Sequence, residues 1–193
     1  MTAIIIPTID IGRAEVTAAM ALLNAGTDAR IDIVGGEPRG FTATVNEGLA
    51  RLRPGEDACI LNDDITGFPY GWLAALRAGL YAREDYAISG PSGKSSTRPA
   101  CEGVPGMAGL EDVVQLSFWC ALVKRTAFDK LGLLDKRFIH YGSDNEYCHR
   151  ARKQGWRLVW VRGVYLEHRH HGSGRRSEWW KQDRALLRKV VGL

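Results

Sequence analysis

The segment Ala58-Cys59-Ile60-Leu61-Asn62-Asp63-Asp64 decides how this chain is read: four small or apolar residues run straight into two adjacent carboxylates. Residues 58–61 predict a buried strand, and paired carboxylates at its end are costly without a cationic partner. A hard divalent cation is one such partner, since it takes one or two carboxylates from a protein and fills its other positions with phosphate oxygens and water. The alternative is a cap, with Asp63 or Asp64 serving the turn into the next helix. In isolation the turn leaves both readings open.

Outward from this turn the chain alternates strand and helix. Ala3–Thr8 predicts a first strand, and Gly12–Ala25 a helix with Val16, Met20 and Leu23 at helical spacing. Arg30–Val34 predicts a second strand stopped by Gly35-Gly36-Glu37-Pro38, and Phe41–Leu52 a helix closed by Arg53-Pro54-Gly55. Beyond the acidic turn, Tyr70–Ala82 reads as a helix with Pro69 at its first turn, and Tyr86–Ser89 as a short strand. Such a run implies an α/β fold, a mostly parallel, Rossmann-like sheet covered by helices. Ligands then bind beyond the carboxyl ends of the strands, which directs attention to Asp10, Gly35-Gly36 and Asn62-Asp63-Asp64.

The second half is less regular. Gly90 to about Asp112 is rich in Gly, Pro and Ser and predicts a long functional loop. Gln115–Val123 predicts a strand, Arg125–Leu131 and Asp144–Gln154 helices, and Arg157–Val161 and Val164–Glu167 two short strands. Glu178–Val190 predicts a last helix with Trp179, Leu186, Leu187 and Val190 as its apolar positions. One domain over 1–193 is expected, with a nucleotide-binding half (1–89), an acceptor and catalytic half (90–174) and a basic C-terminal helix (175–193).

Charge is unevenly placed. Seven Lys/Arg against two acids from His168 to Leu193 leave residues 1–167 at a net −1, so the overall +4 belongs to the tail. A basic segment suits an anionic ligand, and it equally suits a solvated terminal helix. The four cysteines are scattered without a C-x-x-C pair and are expected to be reduced, not zinc-bound or bridged. No stretch is long and apolar enough to span a bilayer, and the first residues read as a strand, not a signal peptide; a cytoplasmic protein, of a bacterium or of a host cell if viral, is expected.

Two further stretches carry chemistry. Gly142-Ser143-Asp144-Asn145-Glu146 opens a helix, where Asp144 fits either an N-cap or a general base facing an acceptor hydroxyl. Glu167-His168-Arg169-His170-His171 gathers three of the five histidines after a strand, and imidazoles and guanidiniums suit a metal and phosphates. A solvated basic loop is the plain alternative.

Taken in order, these stretches resemble family 2 glycosyltransferases, which have the GT-A fold. Gly40-Phe41-Thr42-Ala43-Thr44-Val45-Asn46-Glu47-Gly48-Leu49 resembles the family's Gly-Phe-x-x-x-x-Asn-x-Gly-Leu stretch, and Leu61-Asn62-Asp63-Asp64 its metal motif. Pro69-Tyr70-Gly71-Trp72-Leu73, then Arg125 to Phe138, then Tyr141 to Arg150, and finally His168 follow in the family's order. The resemblance implies an inverting transfer of a sugar from a nucleotide-diphosphate-sugar to an acceptor hydroxyl, assisted by Mn2+ or Mg2+. It implies that Asp64 and His168 bind the metal and that Asp144 is the base. Pro7, Asp32, Gly35, Gly40, Asn46, Asn62, Asp63 and Arg175 would line the donor site, and Trp119, Ser143 and Glu146 the acceptor site. The chain departs from the family at Gly35-Gly36, where an acid usually contacts the base, and at Ser143, which replaces a Glu. The acceptor stays open, as a saccharide, a small metabolite, a protein or a nucleic acid; Arg175-Arg176 with Trp179-Trp180 fits a polyanion, as in viral enzymes that glycosylate a modified base in DNA, and the two Trp equally fit a helix packed on the domain. A nucleotide- or polyanion-binding module without transferase activity is the alternative.

Overall fold

The structure is a computed structural model that describes residues 1–35, 38–93, 103–169 and 177–192. In chain order the elements are β1 (Thr2–Thr8), α1 (Ile11–Leu23), β2 (Ala29–Gly35), α2 (Phe41–Ala50), β3 (Asp57–Leu61), β4 (Ile65–Thr66) and α3 (Trp72–Tyr81). They continue with β5 (Tyr86–Gly93), β6 (Leu110–Val113), β7 (Cys120–Val123), α4 (Arg125–Leu131), α5 (Ser143–Lys153), β8 (Arg157–His168) and α6 (Ser177–Val191). Among the described residues the strands form one sheet in the order β2-β1-β3-β7-β5-β8-β4, with β6 also paired to β8. β1 is parallel to β2 and β3, and β5 to β8, while β7 runs antiparallel between β3 and β5. Two reversals restore direction, so β1, β2, β3, β5 and β8 all point their carboxyl ends to one edge.

The alternation of side chains along each strand feeds two cores. Ile4, Ile6, Cys59 and Leu61 face α1 and α3, whose Ala14, Ala18, Ala21, Leu73, Leu76 and Leu80 pack on them. Ile5, Ala58 and Ile60 face the other way, onto Val45 and Leu49 of α2, Leu131 of α4, and Tyr147 and Cys148 of α5. Helices on both faces therefore enclose a sheet whose central strands are apolar on both sides, as a largely parallel sheet requires. Trp72 anchors one core, 1% exposed with its indole N–H donating to the Ala21 carbonyl at 2.9 Å.

The edge by β2 is held by charge instead. Arg39, Glu47, Arg51, Asp32, Arg30 and Glu56 form a chain of ion pairs along β2 and α2, blunting an edge that could otherwise pair with another strand. At the amino edge, buried Asp57 accepts from the Tyr81 hydroxyl at 2.9 Å, Arg77 Nε at 3.2 Å and the Arg125 backbone N–H at 2.9 Å. Cys59, Cys120 and Cys148 are buried, and burial beside Cys59 pushes the Cys120 thiol up; Cys101 lies outside the described residues.

Several expectations need correction. The apolar row Val16, Met20 and Leu23 faces solvent, at 66%, 47% and 75% exposure, and α1 instead buries Ala14, Thr17, Ala18 and Ala21. Small residues let the helix lie close on β1, and Thr17 is needed there to donate to the Asp63 carbonyl at 2.6 Å. Pro69 lies before α3, whose cap is Gly71, and its carbonyl accepts from Trp72 N–H in a turn. β5 extends through Gly93 and the expected loop contains β6, because polar Leu110-Glu111-Asp112-Val113 acquires strand form by pairing with β8. The strand expected over 115–123 is confined to Cys120–Val123. The two short strands expected after α5 are one, β8, interrupted by an irregularity after Val161.

Candidate active site

At the carboxyl edge β1 and β3 part company. Their pairing ends at Ile5 and Ile60, while β1 continues alongside β2 as far as Thr8 and Gly35. Pro7, lacking an N–H, stands where β3 has already diverged, and the crevice that opens is where this class of sheet binds ligands. Gly35 closes it from the β2 side: a Cβ there would lie 2.1 Å from the Thr8 carbonyl, so only glycine permits the approach.

The acidic turn divides its two carboxylates between different tasks. Asp63 turns toward α1 and accepts from Arg13 Nη2 at 2.7 Å and from the Thr8 hydroxyl at 2.5 Å. Arg13 is itself raised above its ordinary range, first by the hydrogen bond to Asp63. Asp64 turns the other way, and its Oδ1 lies 3.1 Å from His168 Nε2, both side chains nearly buried at 8% and 11% exposure. The main chain fixes this pairing: Ile65 and His168 are register partners in β4 and β8, and Arg169 N–H donates to the Asp64 carbonyl at 3.1 Å. Asn62 Nδ2 is 3.4 Å from His168 Nε2, and the Asn62 backbone N–H donates to the Trp119 carbonyl at 2.8 Å. The Trp119 indole stacks on the His168 ring, centroids 5.4 Å apart and planes 24° from parallel.

This donor set fits a hard divalent ion. Two ligands at right angles with bonds of about 2.1 Å are separated by about 3 Å, the spacing seen between Asp64 and His168. Among the described residues no group of three or more His, Cys, Asp or Glu is placed to hold a metal. A carboxylate and an imidazole would therefore be the protein's share, leaving the other positions to phosphate oxygens and water.

Asp144 lies at the same edge, because α5 runs back to the start of β8 and so begins beside the strands' carboxyl ends. The cap of α5 is Gly142, not Asp144, which is the second helical residue and accepts from Asn145 N–H at 2.8 Å. The turn leading into α5 is tied to α2. Gly40, with φ of 93°, brings its backbone so near Ile139 that a Cβ would stand 2.4 Å from the Ile139 carbonyl, which also accepts from Thr42 N–H at 3.1 Å.

Other expected site residues are placed elsewhere. Asp32 lies three residues before the end of β2, about 10 Å back from the carboxyl edge, and is held by Arg51 at 2.8 Å; it belongs to the ion-pair chain, not to the donor crevice. Asn46 spends both its amide atoms on the Leu134 backbone, each bond 2.9 Å, and staples α2 to the loop after α4. Glu146 is buried and doubly bound by Arg150, at 2.8 and 2.9 Å, so it does not offer itself to an acceptor. Ser143 is 1% exposed and packs inside the first turn of α5. Trp119, expected at the acceptor, stacks its ring on His168. Arg175, with His170 and His171, falls outside the described residues. Asp10, noted after the first strand, caps α1 by accepting from Arg13 N–H at 3.0 Å. The residue that sequence reasoning missed is Asp183 of α6, fully buried against residues 139–141.

Over its whole length the chain superposes on glucosyl-3-phosphoglycerate synthase from Mycobacterium tuberculosis, solved in complex with Mn2+, UDP and glucosyl-3-phosphoglycerate. The TM-score is 0.70 at 12% identity, covering 80% of that chain. The chain has the GT-A fold. A mannosyltransferase from Pyrobaculum calidifontis, solved with GDP-Man and Mn2+, matches the GT-A domain at TM-score 0.62 and 14% identity, over 98% of this chain and 62% of that one. In sequence, 61 residues are 39% identical to N-acetylglucosaminyl-diphospho-decaprenol L-rhamnosyltransferase of Mycobacterium tuberculosis, 31% of this chain and 20% of that protein. O-antigen biosynthesis protein RfbC of Myxococcus xanthus is 27% identical over 183 residues, 82% of this chain and 14% of that protein. The chain thus spans a fifth or less of the curated relatives it matches. No family model matches the sequence.

Proposed function

We propose that this GT-A domain is a metal-dependent inverting glycosyltransferase, moving a sugar from a nucleotide-diphosphate-sugar to an acceptor hydroxyl. The observation that carries the reading is the Asp64–His168 pair, 3.1 Å apart and almost out of water with Trp119 stacked on His168, on the turn that leaves β3 and where β4 meets the end of β8. Solved neighbours bind Mn2+ with UDP or GDP-mannose, and the curated relatives include a rhamnosyltransferase.

Asp64 and His168 would hold the ion, which when bound supplies neutralising charge to the departing diphosphate. Asp63 keeps the acidic turn in place through Arg13 and Thr8. Trp119 fixes the His168 ring by stacking and so holds Nε2 toward Asp64. Pro7 and Gly35 would line the crevice for the nucleotide. Asp144 would accept the proton of the acceptor hydroxyl as its oxygen attacks the anomeric carbon from the face opposite the nucleotide, and that approach inverts the configuration. The basic, outward side of α6, with Trp180 44% exposed and Arg184 stacked on it at 4.9 Å beside Lys181 and Arg188, favours an anionic acceptor, a nucleic acid being one class. No helix of the described residues is long and apolar enough to cross a membrane.

The test is calorimetric titration of UDP and GDP with and without Mn2+, followed by Mn2+-dependent release of nucleoside diphosphate from UDP- and GDP-sugars. Binding that needs the metal, and turnover that Asp144→Asn removes while binding persists, are expected. Full turnover in Asp144→Asn would dismiss the base, and metal-independent binding would dismiss the Asp64–His168 site.

A further inference from the structure

Asp183 lies on a helix whose charged residues, Glu178 apart, are otherwise basic and exposed, yet its own side chain is 0% exposed. Its carboxylate gathers three consecutive backbone N–H groups: Ile139 on Oδ1 at 2.9 Å, and His140 and Tyr141 on Oδ2 at 2.8 Å each. Successive main-chain N–H groups converging on one point form a concavity for an anion, and here the chain fills it with its own carboxylate. A buried carboxylate with three such donors has its charge met, and it ties α6 to one short turn.

That turn touches both sides of the reaction. On the donor side, the Ile139 carbonyl accepts from Thr42 N–H at 3.1 Å, and His140 Nδ1 lies 3.3 Å from Phe41 N–H, at the first turn of α2. On the acceptor side, Tyr141 is two residues before Ser143, the start of α5, and three before Asp144. The His140 ring is enclosed by Phe41, Tyr141 and Trp179, the last reaching it from α6 with ring centroids 6.0 Å apart. Burial pushes the His140 imidazolium down from its ordinary range, against the raising effect of the nearby Asp183 carboxylate, and Nδ1 accepts from Phe41 N–H.

We infer that Asp183 is a positioning residue: it fixes the turn 139–141 and thereby sets where Asp144 stands relative to the donor crevice. It does not touch substrate. The C-terminal helix is thus a working part of the site, a strap that registers the catalytic half against the nucleotide half. This rests on the assignment of Asp144 as the base, and the experiment separates the two.

Amide hydrogen exchange of the intact chain, without ligand, reads the strap directly. Asp183→Asn, which puts an amide NH2 among N–H donors, should raise exchange at 139–141 by about 10-fold or more while the amides of β1 and β3 stay protected. Mn2+-dependent UDP affinity should stay within about threefold of the wild type, since Asp64 and His168 are untouched, while kcat for nucleotide release falls by at least 10-fold with little change in donor KM. Val190→Ala, two turns further along α6, serves as the control: it loosens the helix thermally without the loss of kcat. Unchanged exchange at 139–141 in Asp183→Asn overturns the strap. Raised exchange with wild-type kcat overturns the positioning role. If the wild type shows no turnover, the exchange result still decides the strap, and it is the function that has failed.

Discussion

Replacing Asp63 by Asn removes charge from a carboxylate oxygen on which Arg13 donates at 2.7 Å and the Thr8 hydroxyl also donates. An Asn oxygen can take the same position, so both bonds survive in neutral form, at about half the strength of charge-assisted ones. Arg13, 28% exposed, then loses its buried counter-ion and is only partly relieved by water. Together these amount to about 2 kcal/mol, or a fall of about 4–8 °C in melting temperature for a chain of this size. Asp64→Asn should do the reverse. The amide oxygen can keep its place 3.1 Å from His168 Nε2 and the main-chain bond from Arg169 is untouched, so the melt moves by less than about 1 kcal/mol. One of two protein ligands is lost, however, and Mn2+-dependent UDP affinity should drop on the order of 100-fold. The assay is a thermal melt without ligand beside calorimetric titration of UDP at fixed Mn2+, on both variants. A normal melt with abolished metal-dependent binding in Asp63→Asn, and normal binding in Asp64→Asn, would refute the division of labour.

Arg30, donating to Glu56 at 2.7 and 2.8 Å, holds that carboxyl at about 2, below its ordinary 4.5. A depressed folded-state value contributes stability above pH 4.5 that disappears as pH falls toward 2, here about 3 kcal/mol. Denaturant unfolding of Glu56→Gln should therefore fall below the wild type at pH 7 and converge with it by pH 2; parallel curves would contradict this. Gly40→Ala forces a Cβ into the Ile139 carbonyl at a φ of 93° and should cost about 3 kcal/mol or more by urea unfolding, with an unchanged midpoint the contrary result. Asn46→Ala should lower stability by about 1–3 kcal/mol through its two lost bonds to Leu134 yet leave UDP affinity within twofold, a combination that a nucleotide ligand would not show.

The parts of the fold that were legible are those in which local pattern and tertiary demand agree. Ala58–Leu61 is apolar at every position and is a central strand, and Arg125–Leu131 is helical within the bounds its spacing suggests. α1 shows where the two part: periodicity alone locates a helix, but it does not say which face turns inward. The sheet beneath took the thin face of alanines, and Thr17 with it, and left the larger apolar residues outside. β6 was not legible because its strand form comes from β8, a partner some 50 residues away. In the site, Asp64 and His168 could be paired because each follows a strand whose carboxyl end shares one edge. The roles of Asp32 and Asn46 could not be read, since a guanidinium or a backbone far along the chain occupies each, while Glu146 is held by Arg150 one helical turn on, which its spacing allowed but did not require. Asp183 left a signal of its own: with Trp179, Leu186, Leu187 and Val190 it keeps helical spacing, so an acid stood on the inward face of a basic helix.

From Ile88 opposite Leu158, β5 and β8 pair in step until Pro91 meets Val161, and the pairing then resumes at Ser92 opposite Tyr165. Three residues are thus inserted in one strand, an odd number, and the parity of the strand changes. Before the insertion the odd-numbered Val159 and Val161 face the α1–α3 core; after it the even-numbered Val164 and Leu166 do, and His168 follows in their phase. The address of the imidazole is therefore counted, not merely located. Loss or gain of a single residue between 161 and 165 would present Glu167 or Arg169 to Asp64 in its place, whereas a change of two would preserve the sense of the strand. Length variation in this short stretch is quantised by the pleat, and a chain that kept every residue of the site could still lose it by miscounting one.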